Sequence, residues 1–195
     1  MRKLNRASLI AGFAGLLFVI ASFAQNRGAG DHVPVRRSDE SLQDFAMRII
    51  PSGKKLVHQT LEGDFGPSID NLVILFGDEE FKPFTGWVLT PVKGRYEKFV
   101  LPEPDYTYSM EEVKAVFYAN ADRDKERELL ILSECYTGIG PTGAQPFYQT
   151  RVYDWNGSGF SYLGKISEKI GNASNARQVR SKLKALGRKS PKSQV

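Results

Sequence analysis

Cysteine and histidine are scarce in this sequence, whose 195 residues include one cysteine and two histidines. A single cysteine excludes an internal disulfide framework, and two histidines argue against a metal site built on several imidazoles. Cys135 ends the most apolar run of the body of the chain, 129–135, which indicates a small buried side chain rather than a nucleophile. Hydrophobic residues (41%) and charged residues (25%) occur in the proportions of one globular domain.

Acidic residues are absent from both ends of the chain, and this absence decides how the net charge of +5 is interpreted. Ten of the 27 Lys and Arg residues lie in 1–24 and 171–195, so the body between them carries more acids than bases. A nucleic-acid-binding domain would carry a basic face on its folded body. The charge therefore argues against nucleic acid as a partner, while the basic end 171–195 offers a surface for anionic partners.

Residues 7–24 contain no charged residue and follow a positively charged start. The run ends with small residues at the −3 and −1 positions of a signal-peptidase site, which predicts a signal peptide, 1–24, cleaved after Ala24. The mature protein is then periplasmic or secreted, begins with a flexible leader (25–37) and has no stable membrane span. An uncleaved membrane anchor is the alternative, because the run approaches the length of a span.

Residues 38–170 predict a β-rich domain. Two continuous apolar runs, 71–76 and 128–133, are typical of strands buried on both faces. Two glycine-containing turns, Lys93-Gly94 and Asn156-Gly157, separate runs of alternating polarity and predict hairpins.

This domain divides into two similar halves, 54–104 and 112–166, each with a strand, a buried strand and a hairpin. Leu72 and Leu130 occupy matching positions, 58 residues apart. The order predicts a mainly β fold, with antiparallel sheets formed by two propeller-blade-like repeats. Two blades cannot close a propeller, which needs at least about four, so a single twisted sheet or a small sandwich is expected.

Apolar residues at helical spacing occur at both ends of the domain. Residues 38–50 predict an N-terminal helix with Ser38 as its N-cap. Residues 176–186 predict a C-terminal helix within the basic segment 171–195, capped by Ser174 or Asn175. Both helices are expected to pack at the edges of the sheet or sheets.

Oxygen-bearing side chains occupy alternate positions between the two strands of the second half, at Asn120, Asp122, Asp124 and Glu128. Alternate side chains of a tight loop can point the same way, so these four can converge on a hard cation. Calcium fits best, because it accepts several carboxylate and carbonyl oxygens in flexible geometry. The alternative is a metal-free turn in which the three interspersed basic residues neutralise the acids.

This turn resembles the DxDxDGxxEL turn of FG-GAP/VCBS-type repeats, which occur in integrin-like propellers and many exported bacterial proteins. In that family the acidic side chains hold Ca²⁺ and an apolar strand follows, as 129–132 follows here. The resemblance implies that the four side chains named above are ligands, and that Glu126 adds its backbone carbonyl. It covers roughly 45–165, and Lys125 stands where the family has a glycine.

A Gly/Pro-rich segment bounded by aromatic residues connects two strands of the second half. Loops of this kind on a rigid sheet often bind partners. Tyr136, Phe147 and Tyr148 are the expected anchors if the segment binds a protein. A passive crossover loop is the alternative.

Together these features predict an exported, non-enzymatic binding protein of FG-GAP/VCBS-like type, in which calcium is structural and the partner is a protein or an envelope polymer. Small exported proteins of similar appearance include periplasmic lysozyme inhibitors, so an inhibitor is one form this function can take. The rival hypothesis is an exported hydrolase that acts on envelope polymers through a pair of carboxylates. A third is a purely structural envelope component.

Overall fold

A computed structural model describes residues 33–78, 83–104, 110–136 and 145–188. These residues form two antiparallel sheets and three helices, which confirms the mainly β class. In chain order the elements are α1 (Leu42–Ile49), β1 (Lys55–Leu56), β2 (Leu61–Phe65), β3 (Ser68–Gly77), β4 (Thr85–Val92), β5 (Arg95–Val100), β6 (Met110–Ala119), β7 (Glu128–Tyr136), β8 (Pro146–Trp155), β9 (Phe160–Tyr162), α2 (Gly164–Ile170) and α3 (Ala176–Arg188).

The first sheet is a meander of β2, β3, β4 and β5, in which β1 also pairs with β3. Strand β3 contains the first continuous apolar run and lies between its neighbours, as predicted. The predicted hairpin of β4 and β5 is confirmed. Its turn residues Lys93 and Gly94 have φ angles of 47° and 77°, a pair of left-handed residues that suits the twist of a tight hairpin.

The second sheet is a meander of β6, β7, β8 and β9, and the predicted hairpin around Gly157 is confirmed. The prediction that this hairpin extends to residue 166 is wrong, because α2 begins at Gly164. Leu163, Ile166 and Ile170 have helical spacing, and all three pack in one cluster with the second sheet. Burial of these three side chains favours a helix, although the local sequence resembles that of a strand.

The two sheets pack face to face and share one apolar core. Val73 and Leu75 of β3 contact this core from one side, and Leu129 and Ile131 of β7 from the other. Tyr153 of β8 is also buried there. The architecture is therefore a small sandwich, one of the two arrangements that the sequence predicts.

The helices cover the outer faces of the sheets rather than their edges. Phe45 and Ala46 of α1 pack with outward-facing residues of β3, and Val179 and Leu183 of α3 pack with residues of β6, β7 and β8. The prediction of helices at the edges is thus corrected. In a strand that is buried on both faces, the side chains that point away from the other sheet are also apolar. Each sheet therefore needs a helix to cover its outer face.

The chain is already docked at Val33, which is 7% exposed and bridges to Tyr96 of β5. Val33 lies within the predicted flexible leader, 25–37, most of which falls outside the described residues, so the leader stays a prediction. The predicted signal peptide lies outside the described residues. Within the described residues, no helix has both the length and the apolar character needed to cross a bilayer.

Helix α1 begins later than predicted, with Ser41 rather than Ser38 as its N-cap. The Ser41 hydroxyl accepts a hydrogen bond of 3.1 Å from the backbone N–H of Asp44. Glu40, just before the cap, forms an ion pair with Arg48 in the last turn, at 2.6 Å. The hydrogen bonds from Arg48 lower the pKa of Glu40 to about 2.

Replacing Glu40 with Gln should remove stability at neutral pH but not in acid. A carboxyl whose folded pKa is depressed stabilises the fold above its unfolded pKa, and this contribution is lost as pH falls from about 4.5 towards about 2. Urea unfolding midpoints of the wild type and of Glu40→Gln should therefore differ above pH 5 and converge near pH 2. The same series with Asp39→Asn is the control, and equal pH dependence of the two variants would contradict the assignment.

The two sheets are in close contact where Gly63 of β2 faces Tyr118 of β6. A Cβ atom at position 63 would overlap the Tyr118 ring, which is held by stacking on Phe65 with ring centroids 4.6 Å apart. Gly63→Ala should destabilise the protein by about 1–3 kcal/mol in denaturant unfolding. Gly159→Ala adds the same methyl group in open space and should change stability by less than about 1 kcal/mol. A stabilised Gly63→Ala protein would show that the sheets separate easily.

Candidate metal centre

Four carboxylates gather at one end of the second sheet. Asp122 and Asp124 belong to the loop between β6 and β7, Glu128 is the first residue of β7, and Asp154 lies near the end of β8. One oxygen from each lies within 4.8 Å of the corresponding oxygens of the others. This cluster is called the acidic cluster below.

The loop is shaped by its own polar side chains. The Asn120 Oδ1 atom accepts the backbone N–H of Arg123 at 2.7 Å, and the Asp122 Oδ1 atom accepts that of Asp124 at 3.1 Å. Asp124 in turn accepts the N–H of Glu126 at 2.7 Å. These short-range bonds fold the segment into consecutive turns, which is why Asn and Asp are favoured in such loops.

The left-handed residue of the loop is Arg123, with φ of 80°. The resemblance to FG-GAP/VCBS repeats places the sharp bend at Lys125, where that family has glycine. Among the described residues other than glycine, only Lys93 and Arg123 have positive φ, so the bend here lies two residues earlier. A lysine at position 125 is therefore compatible with this loop.

Asp154 joins the cluster through strand register. Leu129 of β7 pairs with Tyr153 of β8, so the residues one step outward, Glu128 and Asp154, lie side by side. Because alternate side chains of a strand lie on the same face, Glu128 shares a face with Leu130, and Asp154 shares it with Val152. This is the face of the sheet that the helices cover. The sheet thus fixes two carboxylates, and the loop adds two more.

Glu128 is the buried member of the acidic cluster, with 1% of its surface exposed. Its Oε2 atom accepts the backbone N–H of Ala121, whereas its Oε1 atom has no hydrogen-bond partner among the described residues. Burial, together with the charges of Asp122, Asp124 and Asp154, raises the pKa of Glu128 to about 7. Burial and the same neighbouring loop acids also raise the pKa of Asp154.

Two of the three basic residues of the loop are bonded away from the acidic cluster. The Arg123 guanidinium donates to the backbone carbonyl of Leu186 at 2.6 Å, and that of Arg127 pairs with Asp64 at 2.5 Å. In the described part of the chain, no ion pair reaches any of the four clustered carboxylates. The arrangement differs from a metal-free turn that is neutralised by its own cations.

Three of the five residues predicted from the sequence, Asp122, Asp124 and Glu128, therefore lie together. The side-chain oxygen of Asn120 is bonded to the loop backbone, and the N–H of Glu126 is bonded to Asp124. Ligation by Asn120 and by the carbonyl of Glu126 stays a prediction. Asp154 was missed, because nothing near it in the sequence indicates which residue of β7 it faces.

The aromatic residues predicted to bind a protein lie in strands rather than in a loop. Tyr136 is the last residue of β7, while Phe147 and Tyr148 belong to β8, and 137–144 lies outside the described residues. The Tyr148 hydroxyl donates to Glu134 at 3.2 Å, and its ring packs with the cluster under α2 and α3. Tyr148 thus contributes to the core, and the binding role of the three residues stays a prediction.

A second group of ionisable residues is buried within the sandwich. Glu111 (3% exposed) forms an ion pair with Arg151 (6% exposed), whose guanidinium lies 4.4 Å from the centroid of the Phe84 ring. Cys135 is fully buried nearby. Burial and the negative charge of Glu111 raise the pKa of the Cys135 thiol to about 12. This thiol is poorly suited to nucleophilic catalysis.

Cys135 should resist alkylation in the native protein. A pKa near 12 instead of 9 leaves about a thousandfold less thiolate at neutral pH, and burial also blocks the reagent. Iodoacetamide labelling followed by mass spectrometry should show modification only in denaturant. Native labelling at the rate of the unfolded chain would mean that the thiol is exposed and reactive.

Comparison with known protein families, with curated proteins and with solved structures finds no match for this chain. The resemblance of the acidic turn to FG-GAP/VCBS repeats therefore stays a prediction from the sequence. What the protein does must be argued from the geometry of its sites.

Proposed function

We propose that the acidic cluster binds one structural calcium ion, and that the protein is an exported, non-enzymatic binding protein of FG-GAP/VCBS-like type. The observation that carries the metal site is Glu128. A buried carboxylate oxygen without a hydrogen-bond partner, beside three further carboxylates, is costly unless a cation or a proton compensates for it, and a cation can serve all four carboxylates at once.

The number of carboxylates in the cluster supports calcium rather than magnesium. Calcium accepts about six to eight oxygen ligands at about 2.3–2.6 Å in flexible geometry. Magnesium usually keeps several waters and is bound through only one or two carboxylates. The acidic cluster offers four carboxylate oxygens within 4.8 Å of one another, which suits calcium.

The position of the cluster supports a structural role for the ion. It includes residues of the loop after β6, the start of β7 and the end of β8, so one bound cation would connect two strands of the second sheet with this loop. Two of the four ligands, Asp122 and Asp124, also belong to one turn, and their carboxylates already bond its backbone. In this proposal calcium stiffens the scaffold, and the partner, a protein or an envelope polymer, binds elsewhere on it.

The topology supports the assignment of two blade-like repeats. Strands β2–β5 and β6–β9 form meanders of the same order, one in each sheet. Leu72 and Leu130, matched in the sequence, both point towards a helix on the outer face of their sheet. The first repeat has a two-residue turn where the second has the acidic loop, so only the second repeat would bind the ion.

Calcium in excess should raise the melting temperature of the protein relative to EDTA. A ligand at a hundred times its dissociation constant stabilises by about 2.7 kcal/mol. For a chain of this size that corresponds to about 5–10 °C. Circular dichroism melts at fixed ionic strength, with magnesium as a comparison, measure the shift.

Two matched variants decide which residues bind the ion. Asp154→Asn removes a carboxylate of the acidic cluster and should abolish most of the calcium-dependent shift. Glu126→Gln removes a carboxylate from the same loop but keeps its backbone carbonyl, and should retain the shift. If both variants lose the shift equally, or if calcium has no effect on the wild type, the proposed site is wrong.

A further inference from the structure

A groove with a basic lining lies beside the acidic loop, where α3 crosses the end of β6. It has a volume of about 560 Å³. This surface, called the basic groove below, is lined by Arg123, Arg127, Arg180, Lys184, Ala119 and Leu183, among others. The proposed calcium site does not explain why these four cations lie together.

The loop supplies two of the four cations because its charges alternate. From Asp122 to Arg127, acids and bases take successive positions in the sequence, and the consecutive turns of the loop direct some of them to different sides. Asp122 and Asp124 contribute to the acidic cluster, whereas Arg123 and Arg127 line the basic groove. The loop therefore separates its charges onto two sides.

Helix α3 supplies the other two cations. Arg180 and Lys184 are four residues apart and share one exposed face of the helix, while Val179 and Leu183 are buried against the sheet. The Arg180 guanidinium donates to the backbone carbonyl of Tyr118 at 3.0 Å and lies 4.9 Å from the centroid of the Phe117 ring. These contacts fix Arg180 at the wall of the groove.

The positive charge of the basic groove is only partly compensated. Arg127 pairs with Asp64, but Arg123 and Arg180 donate to uncharged backbone carbonyls. Lys184 has no ion pair among the described residues and is exposed. An excess of about three positive charges in one concave surface matches a doubly charged oxyanion better than a single carboxylate.

We propose that the basic groove binds a phosphate monoester. Guanidinium groups match phosphate oxygens through pairs of parallel N–H···O bonds, and three of the four cations are arginines. The volume is in the range of small-ligand sites, and the apolar side chains of Ala119 and Leu183 provide a surface for the organic part of the ester. This site does not depend on the calcium ion and goes beyond the function proposed above.

Inorganic phosphate titrated into the ¹⁵N-labelled full chain in EDTA tests the proposal. At constant ionic strength, saturable shifts are expected for backbone amides in 119–123 and 180–184. Succinate, which carries two carboxylates, should bind more weakly. Shifts that do not saturate, or equal affinity for succinate, would contradict a phosphate site.

Two variants of α3 provide a matched pair for this titration. Lys184→Gln should weaken phosphate binding by about five- to tenfold, since it removes a charge-assisted contact. Arg177→Gln removes the same charge from an exposed position outside the lining and should change affinity by less than about twofold. Equal losses in both variants would show that only the net charge of the helix matters.

The source of the phosphate is resolved with two further probes. Glucose 6-phosphate represents a soluble ester, and phosphatidylcholine vesicles with or without phosphatidic acid represent a lipid headgroup. Binding of either probe that weakens in Lys184→Gln, but not in Arg177→Gln, supports the site and identifies the source. Failure of both probes to bind would overturn it, whatever the result of the calcium melts.

Discussion

Strands β3 and β7 are buried on both faces, and the need to cover them determines the position of most other elements. Alternate side chains of a strand point in opposite directions, so Val73 and Ile131 pack between the sheets while Leu72 and Leu130 pack beneath helices. Each strand then needs a sheet on one side and a helix on the other. The four-layer order of helix, sheet, sheet and helix follows from this requirement, and it also brings α3 to the loop after β6.

Features that depend on neighbouring residues were predictable from the sequence. The hairpin turns at Lys93-Gly94 and Asn156-Gly157 were evident because left-handed turn residues separate alternating runs. The span of α2 was not, because Ile166 and Ile170 become a buried face only when β7, β8 and α3 are already in place. Placement of the helices on faces rather than edges was missed for the same reason, since two sheets had first to be recognised as a sandwich.

The candidate metal centre was likewise predictable only in the part that depends on residues close in sequence. Asp122, Asp124 and Glu128 are close in sequence, and their spacing was sufficient to predict them as candidate ligands. Asp154 depends on the register between β7 and β8, and the nine residues that separate these strands in the sequence do not indicate the pairing as a two-residue hairpin turn would. The burial of Glu128 also could not be inferred from composition, because it results from the position of this residue beside β8 and against the loop after β6.

The division of charge within the loop has a thermodynamic consequence. Asp122 and Asp124 belong to the proposed cation site, Arg123 and Arg127 line the proposed anion site, and both sites share the backbone of residues 120–127. Any factor by which a cation on one side alters the affinity for an anion on the other must apply equally in reverse. An eight-residue segment could in this way make the protein sensitive to the joint presence of two unlike solutes, with no movement of the sheets.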